Sequence, residues 1–255
     1  MLRKLRLALN KGEELRFLSH LDFAKCVERT IRRANIEMAY SEGFNPHMKI
    51  SFSSALGLGI TAKPEYLDMD TLDQGSLEDI IDRFNQAAPR GLTALDGKFL
   101  EGRVKKMMAV CNYAIYQVTG PVIVDGQALV EGDGTIHEEL IEGAKAINWT
   151  AILQDFNDKE QVLYEKVTPK KTKTIDVKHF VKQPVSAEIH DNGFVTLTMH
   201  IGIYPEGTIK PGELWAFGRD YFGWPLTDAY EVHRQDILIQ EGDDLICPLD
   251  VEPLD

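Results

Sequence analysis

Two histidines, His20 and His47, are the side chains in this sequence best typed for proton transfer, and each sits among other polar groups. Ser19-His20-Leu21-Asp22 places a hydroxyl, an imidazole and a carboxylate within four residues. Gly43-Phe44-Asn45-Pro46-His47 is followed closely by Lys49 and Ser51. One chemistry open to such a set is metal-independent RNA cleavage, with His20 and His47 as an acid–base pair and an arginine or lysine stabilising the phosphorane. No third group is visible to orient either imidazole. The other chemistry is binding. Phe44 beside His47 and Lys49 suits stacking on a base, with His47 orienting the ligand and a phosphate contact nearby. Arg16, Arg29, Arg32, Arg33 and Lys49 are the candidate phosphate contacts. Plainer readings stand beside these. Ser19 and Asp22 cap a helix, the turn alone accounts for Gly43, Asn45 and Pro46, Phe44 plugs the core, and His47 is solvated.

These residues need elements to position them. Ser19 is an N-cap followed three residues later by Asp22, near the positive end of a helix, where exposed N–H groups and the dipole also favour anions. Phe23, Cys26, Val27, Thr30, Ile31 and Ala34 recur at helical spacing, which leaves Lys25, Arg29, Arg32 and Arg33 off the buried stripe. Leu5–Leu9 reads as a strand, and Lys11–Glu14 as a turn returning through Leu15–Leu18. Ile36–Tyr40 and Lys49–Ser53 are short strands flanking the Ser41–Met48 loop. Pro64–Leu72 is a strand, Ser76–Ala87 a helix and Leu92–Leu100 a strand. This is the β-α-β-β-α-β order of a ferredoxin-like split βαβ unit, followed by a linker over Gly102–Met108.

The order then repeats less regularly. Tyr113–Val118 reads as a strand, Ile136–Asn148 as a helix and Val162–Val181 as a long strand-like region. Val185–Ile189 and Val195–Ile201 flank an Asp191-Asn192-Gly193 hairpin turn. Pro211–Phe222 is a helix with proline in its first turn, and Tyr230–Gln240 the last strand. The expected fold is α+β, two tandem ferredoxin-like halves with antiparallel sheets. Residues 1–101 form the N-terminal domain, 109–240 the second, and 241–255, with six acids and no base, an acidic solvated tail.

Composition narrows the function classes. Cys26, Cys111 and Cys247 lie far apart with no CxxC or Cys/His spacing, so no zinc site, iron–sulfur cluster, other metal or disulfide framework is expected, and no cofactor. The absence of a secretory leader and of an apolar run of about eighteen residues or more implies a cytoplasmic protein without a membrane partner. The net charge of −12 argues against nucleic-acid binding. Its distribution softens that. Residues 1–65 carry 11 Lys and Arg against 7 Asp and Glu, a net of +4, while the other 190 carry 17 against 33, a net of −16.

Three further motifs are open to two readings. Gly57 and Gly59 can admit a ligand to the backbone, but without a following helix a bulge or bend is the simpler reading. Lys166, Lys170, Lys171, Lys173, Lys178 and Lys182 form either a phosphate track or a lysine-protected edge. His137, His179, His190 and His200 stand singly and read as structural, whereas His233-Arg234 can contribute to a shared cleft.

RFLSHLDFAKCVERTIRRA followed by AYSEGFNPHMKISFSSALGLGITAKPEYLD resembles the radical-SAM-linked protein family, with weaker likeness at Lys170–Val177, Thr208–Leu214 and His233-Arg234. The family is encoded beside, or fused to, B12-binding-type radical SAM enzymes. The resemblance implies a radical SAM enzyme as partner; the chain itself lacks the cysteine triplet of a radical SAM core. The residues add a role: an accessory protein that binds RNA undergoing modification, or another phosphate-bearing substrate, through Arg16, Ser19, Asp22, Arg29, Arg32, Arg33, Gly43, Phe44, Asn45, Lys49 and Ser51. The alternatives are an endoribonuclease-like enzyme using His20 and His47, and a pure protein-interaction scaffold.

Overall fold

The computed structural model describes residues 1–168, 171–251 and 253, with backbone alone at 167, 168 and 171. It is a mixed α+β protein with mostly antiparallel strands. In chain order the first elements are β1 (Arg3–Lys11), α1 (His20–Arg33), β2 (Ile50–Phe52), β3 (Ile60–Thr71), α2 (Leu77–Ala87), β4 (Leu92–Leu100) and the short α3 (Met107–Val110). Next come β5 (Tyr113–Gly120), β6 (Ile123–Val124), β7 (Gln127–Ala128), α4 (Ile141–Lys145), α5 (Trp149–Asn157), β8 (Leu163–Thr168), β9 (Lys171–Asp176) and α6 (Val177–Phe180). The chain finishes with β10 (Ser186–Ile189), β11 (Val195–Gly202), α7 (Pro211–Phe222), β12 (Glu231–Glu241) and β13 (Asp244–Ile246).

Two compact units result: Met1–Tyr113 together with Arg234–Asp255, and Ala114–His233. The division differs from the expected one. The first boundary falls at Tyr113, and residues from 234 onward belong with the N-terminal unit. The stretch read as a solvated acidic tail contains β13 and a 3₁₀ turn at Pro248–Asp250. Gly242, at φ +63°, turns the chain so that β13 pairs with β12, and the Pro248 carbonyl accepts a 2.6 Å bond from buried Arg6.

In the N-terminal unit the strands run β4-β1-β3, and β2 and β12 both pair with β3. Alternation sorts β1 cleanly. Leu5, Leu7 and Leu9 join Leu67 and Met69 of β3 under Phe23, Val27, Ile31, Ile80 and Phe84 of the two helices. The opposite face carries Arg6, which meets Asp68 through two bonds of 2.6 and 2.9 Å. Leu15–Leu18 is not a returning strand. Glu13–Leu15 is a single 3₁₀ turn, and the Lys11 ammonium donates to the carbonyls of Arg16 (3.3 Å), Leu18 (3.2 Å) and Ile60 (3.0 Å). Those bonds withdraw carbonyls that a strand would use in a ladder. Ile36–Tyr40 likewise makes only isolated bridges, Met38 to Thr71 and Tyr40 to Met48.

In the second unit β10-β11-β5 form one sheet, and β6–β7 and β8–β9 are separate hairpins. Gly193, at φ +79°, makes the turn between β10 and β11. The helix expected over Ile136–Asn148 is a 3₁₀ turn and the five-residue α4, because Asn148 caps a new helix, accepting from Ala151 N. The expected long strand over Val162–Val181 is the β8–β9 hairpin followed by α6. Asp176 caps that helix while also accepting from Val162 N.

Candidate functional site

The N-terminus of α1 is built as its sequence predicts. Ser19 has extended backbone, and its Oγ accepts from Asp22 N at 3.2 Å and donates to Asp22 Oδ2 at 2.7 Å. Leu18 before the cap and Phe23 in the first turn both pack on the core, which fixes the angle at which the chain enters the helix. The Asp22 carboxylate sits in the first turn, where its charge meets the positive end of the helix. His20 projects beside this cap, with its ring edge-on to Phe52 at 5.3 Å.

The second cluster is a closed loop. Ser41 N donates to the His47 carbonyl (2.8 Å), His47 N donates to Ser41 Oγ (3.0 Å), and Tyr40 bridges Met48. Residues 42–46 form its tip. Gly43, at φ +121°, occupies a conformation that side-chain-bearing residues rarely adopt. Phe44 does not plug the core. Its relative exposure is 102%, so the ring stands free in solvent. Asn45, His47, Lys49 and Ser51 are exposed as well.

The two histidines belong to different segments, one at the start of α1 and one in the loop before β2. His20 packs at Phe52, where β2 ends, while His47 precedes the start of that strand. The arginines divide as well. Arg29, Arg32 and Arg33 are exposed on α1; Arg32 lies 3.9 Å from Glu28, and Arg33 donates to Thr30 Oγ1 at 3.3 Å. Arg16 is buried, and its guanidinium bonds Glu13 at 2.8 Å. Its carbonyl, rather than its charge, organises the neighbourhood, accepting from Lys11 Nζ and from Gly59 N.

Sequence reasoning overlooked two groups. Phe17, Leu21 and Leu58 are large apolar side chains left mostly exposed, and the Gly59–Arg16 bond draws the Leu58 loop to the turn that carries Phe17. Adjacent apolar residues at helix position two and in an irregular turn carry no periodic signal that could have revealed them. The other group is internal. Glu65 and Arg234, each 1% exposed, form an ion pair. Glu65 Oε1 also accepts from Ser53 Oγ (2.9 Å), and Arg234 Nη1 donates to Ser54 Oγ (2.7 Å). Burial holds the Lys11 pKa below its usual value, against the pull of Glu65 and with the push of Arg234. Two of the thiols are unsuited to nucleophilic work, since burial raises the pKa of Cys26 and pushes Cys111 up to about 12. Among the described residues no group of three or more His, Cys, Asp or Glu is placed to hold a metal ion. No helix among them is long and apolar enough to cross a membrane.

A family model, DUF2344, described as an uncharacterised protein conserved in bacteria, matches residues 4–211. The chain belongs to this family. The match takes in both polar clusters and the β8–β9 hairpin. No match was found among curated proteins. Among solved structures, a chain from a Cbf5-Nop10-Gar1 complex aligns with a TM-score of 0.38 and 8% identity, over 90% of this chain and 48% of that one. This chain thus spans about half the length of that relative. An unknown protein from Galdieria sulphuraria aligns with a TM-score of 0.27 and 10% identity, over 94% and 100% of the two chains. Neither likeness carries an argument about fold or function.

Proposed function

We propose that this DUF2344 protein is an accessory protein that binds single-stranded RNA, or another phosphate-bearing substrate, for a radical SAM enzyme that modifies it. The enzyme partner is supported by the sequence resemblance alone. The binding role is carried by one observation: Phe44 is fully exposed at the tip of a loop closed by Ser41 and His47, with Lys49 exposed beyond it. A buried ring would have spoken for packing, whereas a free ring with Lys49 five residues on in the chain suits base stacking next to a phosphate contact. Arg29, Arg32 and Arg33 supply further exposed positive charge on α1. A joint acid–base role for His20 and His47 is less well supported, because among the described residues no hydrogen-bonding group orients either imidazole. We also read the N-terminal unit as ferredoxin-like, supported by its β4-β1-β3-β2 order. In the 114–233 unit the pattern β5-α5-β10-β11-α7 supports a second, elaborated copy.

The test is anisotropy of a labelled single-stranded oligouridylate titrated with the protein from about 50 to 200 mM salt. Phe44→Ala should weaken binding on the order of tenfold without changing the salt slope. Arg29→Ala with Arg33→Ala should flatten the log–log slope by about 1.4, from the single-strand coefficient of roughly 0.7 per phosphate. Unchanged affinity and slope in both variants would remove nucleic acid from this surface. A second reading would then lead, a protein-docking scaffold, favoured by the exposed Phe17, Leu21 and Leu58.

A further inference from the structure

The 114–233 unit carries 10 Lys and Arg against 18 Asp and Glu. Six of those ten cations fall between Lys166 and Lys182, accompanied by a single acid, Asp176. We propose that the β8–β9 hairpin and α7 form a second contact for single-stranded nucleic acid, with Tyr221 and Tyr164 as stacking rings and Lys166 and Lys173 as phosphate contacts. The inference rests on the nucleic-acid reading above but uses none of the same residues.

The register selects these residues from the ribbon. Tyr164 and Lys166, two apart on β8, share one face, and Lys173 lies directly opposite Lys166 on β9. Ammonium groups placed opposite one another in a hairpin repel, so this arrangement costs stability unless an anion answers it. Carboxylates answer it in part, and Glu206 lies within electrostatic reach of Lys173. Glu213 Oε2 accepts from Lys166 Nζ at 2.8 Å and from Lys210 N at 3.0 Å, so it is shared between the hairpin and the start of α7. Lys173 is exposed. Lys178 is excluded from the site, because its ammonium donates to the carbonyls of Phe156 and Asn157 at the end of α5. Lys170 lies outside the described residues, as does the side chain of Lys171.

The rings sit beside these lysines. Glu213, Phe217 and Tyr221, four apart on α7, form a row that meets the hairpin. Phe217 stacks on Tyr221 at 4.8 Å and 25°, and Tyr164 meets both at 5.0 and 5.8 Å. Phe217 is buried and anchors the row, whereas Tyr221 is 66% exposed. A clamp that served only to hold the hairpin would bury both rings. An exposed ring on a packed base, next to opposed lysines in an otherwise acidic unit, is a stacking ledge with an adjoining phosphate site.

The same oligouridylate titration tests this with different variants. Tyr221→Leu should weaken binding on the order of tenfold while Tyr221→Phe retains it, which separates stacking from bulk. Lys173→Gln should flatten the salt slope by about 0.7. If these variants bind like the wild type while Phe44→Ala weakens binding, the second contact is refuted and the N-terminal reading stands. If they weaken binding while Phe44→Ala does not, the second contact holds and the N-terminal site falls. No binding by the wild-type protein at the lowest salt refutes both. Should Tyr221→Leu lower the melting temperature, Lys173→Gln decides alone.

Discussion

Replacing Arg234 by Met leaves the Glu65 carboxylate buried with Ser53 Oγ as donor and Lys11 as a nearby positive charge, but without its ion-pair partner. Breaking a buried pair by removing one member costs about 3–5 kcal/mol, and both members of this pair are 1% exposed. The change should therefore accelerate amide exchange in β1 and β3 by roughly two to four orders of magnitude at about 1.4 kcal/mol per decade. Arg234→Met combined with Glu65→Leu removes both charges and leaves the Ser53 and Ser54 hydroxyls unanswered, a cost of about 1–3 kcal/mol. The double variant should thus be more stable than the single one. Hydrogen exchange is the suitable assay because Trp149, Trp215 and Trp224 all lie in the 114–233 unit, so tryptophan fluorescence does not follow the unit that holds the pair. Acceleration below tenfold in the single variant, or a double variant as labile as the single, would refute the reasoning.

Hydrogen bonds to Glu131 and Glu139 raise the His137 pKa, so its stabilisation should be complete below about pH 6.5 and disappear as pH rises through the raised value. An NMR titration should show this, with Glu131→Gln moving the midpoint down; an unmoved midpoint would discount the bond. In α7, Gly218 faces Trp224 so closely that an added Cβ would overlap the buried indole. Helix propensity favours Gly218→Ala by about 1 kcal/mol, yet overpacking of about 1–3 kcal/mol or more should reverse the sign. Urea unfolding followed by tryptophan fluorescence would detect a gain if the overlap were relieved.

Elements whose cause is local were legible in the sequence. Ser19 and Ser76 cap the helices they precede, Leu92–Leu100 and Pro211–Phe222 have the expected limits, and Asp191-Asn192-Gly193 makes its hairpin. Elements whose cause is distant were not. Lys11 decides the form of Leu15–Leu18 through bonds from another strand, and nothing near Leu15 signals it. Asn148 looked like a helix end and is a helix beginning, since a polar cap with apolar residues on both sides fits either. The acids after Glu241 suggested a solvated tail, while Leu245, Ile246 and Pro248 carried the weaker apolar signal that places it against the unit. At the candidate site, the exposure of Phe44 and the burial of Arg16 were equally hidden, because composition reports what a side chain is and not what covers it.

The Glu65–Arg234 ion pair and the bond from Arg6 to the Pro248 carbonyl join residues 169 and 242 positions apart. During synthesis at roughly 5–20 residues per second, Arg234 follows Glu65 by about 8–34 s. For that interval the nascent β1–β3 ribbon carries a carboxylate awaiting its cation, and the face bearing Arg6, Tyr66 and Asp68 lacks the segment that later caps it. The helix side can condense early from local contacts, whereas the far side is a late event of high contact order. A ribosome stalled before residue 234 should hold a half-faced N-terminal unit, protease-sensitive and attractive to chaperones, whatever the state of the residues between.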